Sequence, residues 1–153
     1  MVKIDEVDLR IIAELRQDGR KSFREIAENL EVAEGTVYNR VAKLRQEGVI
    51  KNFIADVDYG LLGYDLTALI GVVVKGGHLP DVEEKIASES NVTAVYDVTG
   101  EYDALVVARF KGRDELNKLV KNLTKLEHVD RTYTMVALNV VKEEHVPDLE
   151  IGE

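Results

Sequence analysis

Apolar residues recur at helical spacing three times within the first fifty positions. Leu9, Ile11, Ile12 and Leu15 form the first run, with Asp5 and Asp8 placed to cap its start. The following Asp18-Gly19 predicts a turn with a left-handed stop, so this helix ends near Gln17. Ser22 and Glu25 have the spacing of a capping box, and Phe23, Ile26, Ala27 and Leu30 fall on one stripe of a second, two-turn helix. A short link leads to Thr36–Gln46, where Val37, Val41 and Leu44 give a third buried stripe before Gly48 stops the helix.

From Ile50 the pattern changes. Ile50–Val57 reads as a strand leaving the helices, and Asp58-Tyr59-Gly60 with Gly63 punctuates a hinge. Leu66–Lys75 is a continuous apolar, β-branched run closed by Gly76-Gly77, hence a strand. Pro80 sits at the first turn of a helix reaching about Ser88. Val92–Val98 and Ala104–Phe110 are strands joined in a hairpin at Thr99-Gly100-Glu101-Tyr102-Asp103. A helix over Arg113–Leu126 and a long strand over Arg131–Lys142 complete a β-α-β-β-α-β order, which is ferredoxin-like. The fold class is therefore α+β, divided as a helix-turn-helix module over 1–50, a linker strand and hinge over 51–65, and a ferredoxin-like domain over 66–153. An open sheet with helices on one face needs a cover for the other. The last strand is apolar on both faces, so a homodimer through the sheet is expected.

Composition narrows the function classes. With no Cys, disulfides, thiolate metal sites and a cysteine nucleophile are excluded together. His78, His128 and His145 are far apart without ligand spacing, and no metal or cofactor is expected. No stretch approaches the roughly 20 apolar residues of a membrane span. The charged start lacks the apolar run of a secretory signal, so the expected location is the cytoplasm. Net charge is −9, yet residues 1–51 hold ten basic and ten acidic side chains, and all the excess acidity follows them. A neutral first part with local basic clusters is compatible with docking on phosphates.

The polar face of the third helix is the main candidate site. Thr36, Asn39, Arg40 and Lys43 recur at i, i+3, i+4 and i+7 with no acidic residue among them. Arg and Asn pair with base edges, and Lys and Thr reach phosphates. Two short helices joined by a tight link, the second presenting such a face, is the plan that places a recognition helix in the major groove of double-stranded DNA. Arg20, Lys21, Ser22 and Arg24 at the preceding helix start, and Gly35 at the next, extend the expected contact to the backbone. A solvated helix face, or a helix-turn-helix serving protein contacts, is the alternative.

Asp5-x-x-Asp8, Asp18-Gly19-Arg20 and Gly35-Thr36-Val37-x-x-Arg40-Val41-x-x-Leu44-x-x-x-Gly48-Val49-Ile50 resemble the Lrp/AsnC (feast/famine) transcriptional regulators of bacteria and archaea. The resemblance implies a winged form of the helix-turn-helix, a second domain of the type called RAM, and dimers that assemble further, commonly to octamers. It also implies an amino acid effector held between dimers at a Gly-x-x-Asp signature. Here that signature falls at Gly100 and Asp103, within Thr99, Gly100, Glu101, Tyr102 and Asp103, with Thr132 and Thr134 on the neighbouring strand. Ala33 departs from the pattern, since many members carry Ser there. The same scaffold also carries decarboxylases of haem biosynthesis. That alternative expects His and Arg to converge, and the candidates past the linker are His78, His128, His145, Arg109, Arg113 and Arg131. Each of these histidines reads more simply as a surface residue, so no enzyme is expected. The acidic tail Glu143–Glu153 is expected to be solvated and disordered.

Overall fold

A computed structural model describes residues 3–144, and the chain forms two compact units divided between Asp56 and Val57. The first unit holds α1 (Glu6–Gln17), α2 (Phe23–Leu30) and α3 (Glu34–Gln46). Both predicted capping boxes are present. Asp5 and Asp8 exchange backbone-to-carboxylate bonds of 3.0 and 3.1 Å, while Glu25 N–H donates to the Ser22 hydroxyl at 3.2 Å and Ser22 N–H to the Glu25 carboxylate at 2.8 Å. The three stripes meet in a core of Ile11, Leu15, Ile26, Ala27, Val37 and Val41, backed by Phe23, Leu30 and Ile50. Each fully buried aliphatic side chain there contributes about 1.5–3 kcal/mol. Gly48, at φ +73°, ends α3 as expected, with Val49 N–H donating back to the Leu44 carbonyl.

Four local expectations are corrected. Gly19 takes no left-handed conformation. α1 stops because Asp18 turns extended, its carboxylate accepting from Arg20 N–H at 2.9 Å. The left-handed residue lies one helix later, at Glu31 (φ +54°), which makes the turn between α2 and α3. α3 begins at Glu34 rather than Thr36, its N-cap Ala33 giving no side-chain bond, so Gly35 and Thr36 lie within its first turn. Ile50–Val57 forms no strand, and the first unit contains no wing, because among the described residues no strand pairs with this segment.

The second unit holds β1 (Leu66–Val74), α4 (Leu79–Ala87), β2 (Val92–Asp97), β3 (Ala104–Phe110), α5 (Arg113–Leu123) and β4 (Val129–Val136). The sheet order is β2-β3-β1-β4 with every neighbour antiparallel, the ferredoxin-like arrangement. Alternate residues of β1 and β3, including Ala68, Ile70, Val72, Val106 and Phe110, pack under α4 and α5 with Val82, Ile86, Leu119 and Leu123. The last strand is shorter than predicted. Its ladder ends where Ala137 N–H bonds the Thr67 carbonyl, near the start of β1, and Leu138 and Val141 lie exposed beyond it. α5 is shorter too, since after Leu123 the backbone tightens into i→i+3 bonds from Lys125 and Leu126.

Among the described residues, no helix packs on the opposite face of the sheet. Leu69, Val73, Leu105 and Val107 are half-buried there, Tyr96 and Met135 are exposed, and Gly71 lies between them. His145 and the rest of the tail to Glu153 lie outside the described residues. Glu143 is described, and it pairs with Arg109.

Candidate nucleic-acid interface and effector site

At about 100° per residue, Val37, Val41 and Leu44 define the buried side of α3. The outward direction then passes through Gly35, Asn39, Ala42 and Gln46. Lys43 flanks this line on one side, with Tyr38 and Arg45 on the other. All seven are exposed. The sequence pattern had centred the stripe on Thr36, Asn39, Arg40 and Lys43. Thr36 and Arg40 are instead both half-buried. Tyr38 was missed. It is 61% exposed with its ring centroid 6.2 Å from that of Phe23 in a T-shaped arrangement, and its spacing from the core triad was the signal that would have found it.

The stripe is also less free of acid than it looked. Arg40 Nη1 lies 2.5 Å from an Asp5 oxygen and 3.0 Å from an Asp8 oxygen, both contributed by α1 and its cap. These hydrogen bonds hold the Asp5 carboxyl below its ordinary range and raise Arg40 further. Of the basic residues around α2, Lys21 is committed to Glu14 at 2.5 Å and is largely covered. Arg20 and Arg24 are well exposed, Arg24 beside Glu28 at 3.0 Å. The Ser22 hydroxyl serves the α2 cap.

The first unit should accordingly be acid-sensitive. Glu14, bonded by Lys21 and Asn29, and Glu25, bonded by Ser22, are also held below the usual carboxylate range. Groups with depressed folded-state values stabilise the fold above their unfolded value, near pH 4, and lose that contribution as pH falls through the folded one. In the second unit burial, and then Asp97, raise Glu83, so acid favours that fold at this residue. Between pH 6 and 3, hydrogen-exchange protection, corrected for intrinsic rates, is expected to fall for amides of α1–α3 before those of β1 and β3. Equal loss in both units would refute this.

At the hairpin tip Gly100 has φ +125°, a conformation that favours glycine, and Thr99 and Glu101 are exposed beside it. Asp103 is built into the sheet. Its backbone N–H donates to the Val72 carbonyl at 3.0 Å, and its Oδ2 accepts from Val74 N–H at 2.7 Å. Its carboxylate therefore fastens the hairpin to β1, which leaves Glu101 as the exposed carboxylate of the tip. Tyr102 lies flat over Gly71, its ring atoms 2.7–2.8 Å from where a Cβ would stand, and 5.3 Å from the ring of Tyr133. Arg131 caps the group, 5.6 Å from the Tyr133 centroid.

Thr132 and Thr134 do not join this cluster. They pair with Val72 and Ile70, whose side chains face the helices, whereas Tyr133 pairs with Gly71 on the open face. Within one chain, the expected effector residues are therefore split across the sheet. Gly71 and Tyr133 were missed, and a glycine inside an apolar strand was the available signal for close approach of another group. Two of the three histidines lie against each other. His78 and His128 stack at 3.5 Å and 7°, while Arg109, besides pairing with Glu143, lies 4.9 Å from the Tyr59 ring.

A three-helix unit with an exposed polar face on its third helix is the helix-turn-helix plan of a DNA-docking module, here followed in the chain by a ferredoxin-like unit. Residues 4–45 match the AsnC-type helix-turn-helix domain and residues 67–147 the Lrp/AsnC ligand binding domain, so the chain belongs to the Lrp/AsnC family of transcriptional regulators. An HTH-type transcriptional regulator of Pyrococcus furiosus is 46% identical over 143 residues, 94% of this chain and 97% of that one. The regulator FL11 of Pyrococcus horikoshii is 39% identical, covering 93% and 94%. Among solved structures, E. coli AsnC superposes with a TM-score of 0.87 at 27% identity, covering 95% and 99% of the two chains. The Neisseria meningitidis regulator NMB0573, solved with L-Met, shares the fold at a TM-score of 0.87 and 20% identity, covering 97% and 98%. The relatives are regulators rather than decarboxylases. Among the described residues no helix is long and apolar enough to cross a membrane.

Proposed function

We propose that α3 reads double-stranded DNA through its outward stripe, and that the second unit binds an amino acid which shifts the assembly and hence the affinity for DNA. The observation that carries the DNA half is the make-up of that stripe. Small Gly35 and Ala42 permit close approach of the backbone, Asn39 and Gln46 offer paired donor and acceptor groups, and Lys43, Arg45 and Tyr38 stand at the phosphate-facing margins. Arg20 and Arg24 extend the contact along the DNA backbone. That the relatives are HTH-type transcriptional regulators supports the same reading.

The effector half is supported by the exposed positive-φ glycine, by Glu101 and by the Tyr102–Tyr133 pair. Glycine leaves N–H groups open to a carboxylate, and Glu101 suits an ammonium. The L-Met complex of NMB0573 points to the same ligand class. Thr132 and Thr134 enter such a site only from another copy of the chain. The uncovered apolar sheet face and the exposed Leu138 and Val141 favour a homodimer, and an octamer is the assembly expected beyond it. The working location is the cytoplasm.

A thermal-shift screen against the twenty amino acids, followed by gel mobility on DNA from the protein's own promoter, tests both halves. Retardation of the promoter, altered by an amino acid that stabilises the fold, is the expected result. At 100 times its Kd such a ligand adds about 2.7 kcal/mol. It must also bind the competing assemblies unequally. Retardation indifferent to every amino acid removes the effector half, and no retardation under any condition removes the DNA half.

A further inference from the structure

We propose that Arg40 is a positioning residue: the α1 capping box holds its guanidinium, fixing the angle at which α3 presents its stripe, and Arg40 touches no phosphate. This rests on α3 facing DNA.

The two carboxylates of the box divide their oxygens. Asp5 Oδ1 accepts from Asp8 N–H at 3.0 Å while Asp5 Oδ2 takes Arg40 Nη1 at 2.5 Å. Asp8 Oδ2 accepts from Asp5 N–H at 3.1 Å while Asp8 Oδ1 takes the same Nη1 at 3.0 Å. One guanidinium nitrogen thus bridges both members of a cap whose remaining oxygens are already spent on the α1 backbone. The helix start and the recognition helix become a single bonded unit. The Asp8 side chain is only 10% exposed and that of Arg40 32%. Moving Arg40 to a phosphate would strand a nearly buried carboxylate beside a polyanion, which opposes the exchange. Arg40 is also half-buried, unlike the exposed Lys43 and Arg45 of the same helix.

The test is the salt dependence of binding by the full-length protein, on its promoter and on unrelated duplex DNA. A phosphate contact contributes about 0.9 to the slope of log K against log[salt] for each helix engaged. Lys43→Ala is expected to lower the slope by that amount on both DNAs. Arg40→Ala is expected to leave the slope and the affinity for unrelated DNA unchanged, while promoter affinity falls about tenfold, the scale of roughly one mismatched base pair. Arg40→Gln, whose amide can still donate to Asp8, should show the same pattern more mildly, and it keeps the test available if the alanine variant does not fold.

A lower slope, or weaker binding to unrelated DNA, in a folded Arg40 variant makes Arg40 a phosphate contact and overturns the proposal alone. Full promoter affinity in both Arg40 variants overturns it as well. A wild-type protein that binds neither DNA, or a Lys43→Ala variant with an unaltered slope, instead overturns the assignment of α3 and the proposal with it.

Discussion

Replacing Asn39 and Lys43 together by alanine is expected to weaken promoter binding by about a hundredfold or more, because each helix of a dimer forfeits a base contact worth ~1–3 kcal/mol. Both side chains are exposed on α3 and outside the core cluster. Folding stability should therefore stay within about 0.5 kcal/mol of the parent. That combination separates a lost contact from a lost fold. Filter binding at two salt concentrations, with a thermal melt of the same sample, measures both quantities. Unchanged promoter affinity would move the DNA contact off this face and restore the reading of the module as a protein-contact surface.

What was legible in the sequence was local. The Ser22–Glu25 box, the Asp5–Asp8 box and the Val37, Val41, Leu44 stripe depend on spacings of three to seven residues, and each stands where the pattern predicts. The β-α-β-β-α-β order was readable for the same reason, since every element carries its own period. What escaped depended on distant partners. Arg40 looked like a free base-reader because the carboxylates that hold it lie 35 and 32 residues away. Ile50–Val57 has the β-propensity of a strand but finds no ladder among the described residues, and β4 stops where β1 can no longer pair with it. Thr132 and Thr134 resembled pocket residues by position along the strand, but register, which the pattern does not specify, turns them toward the helices. Periodicity thus found the elements, while the choice of partner decided the roles of the polar side chains on them.

The same dependence on distant partners makes Gly71 the residue of the second unit with the largest expected effect out of proportion to its size. A Cβ at this position would meet the Cγ and both Cδ atoms of Tyr102 at 2.7–2.8 Å, so the whole ring must lift, and Tyr133 closes one side of its escape. Gly71→Ala is expected to cost about 1–3 kcal/mol, the range for overpacking a filled site. For a unit of this size each kcal/mol corresponds to roughly 4–8 °C in Tm. Tyr102 lies at the hairpin tip, so any stabilisation by an amino acid should disappear with it. A double-mutant cycle isolates the cause. In a Tyr102→Ala background the same Gly71→Ala change should cost nothing, or stabilise slightly, since alanine suits a strand interior better than glycine. Equal destabilisation in both backgrounds would show that the close approach of Tyr102 is not why this strand carries a glycine. If the penalty vanishes but the ligand response survives, the tyrosine shapes the sheet and the effector is held elsewhere on the hairpin.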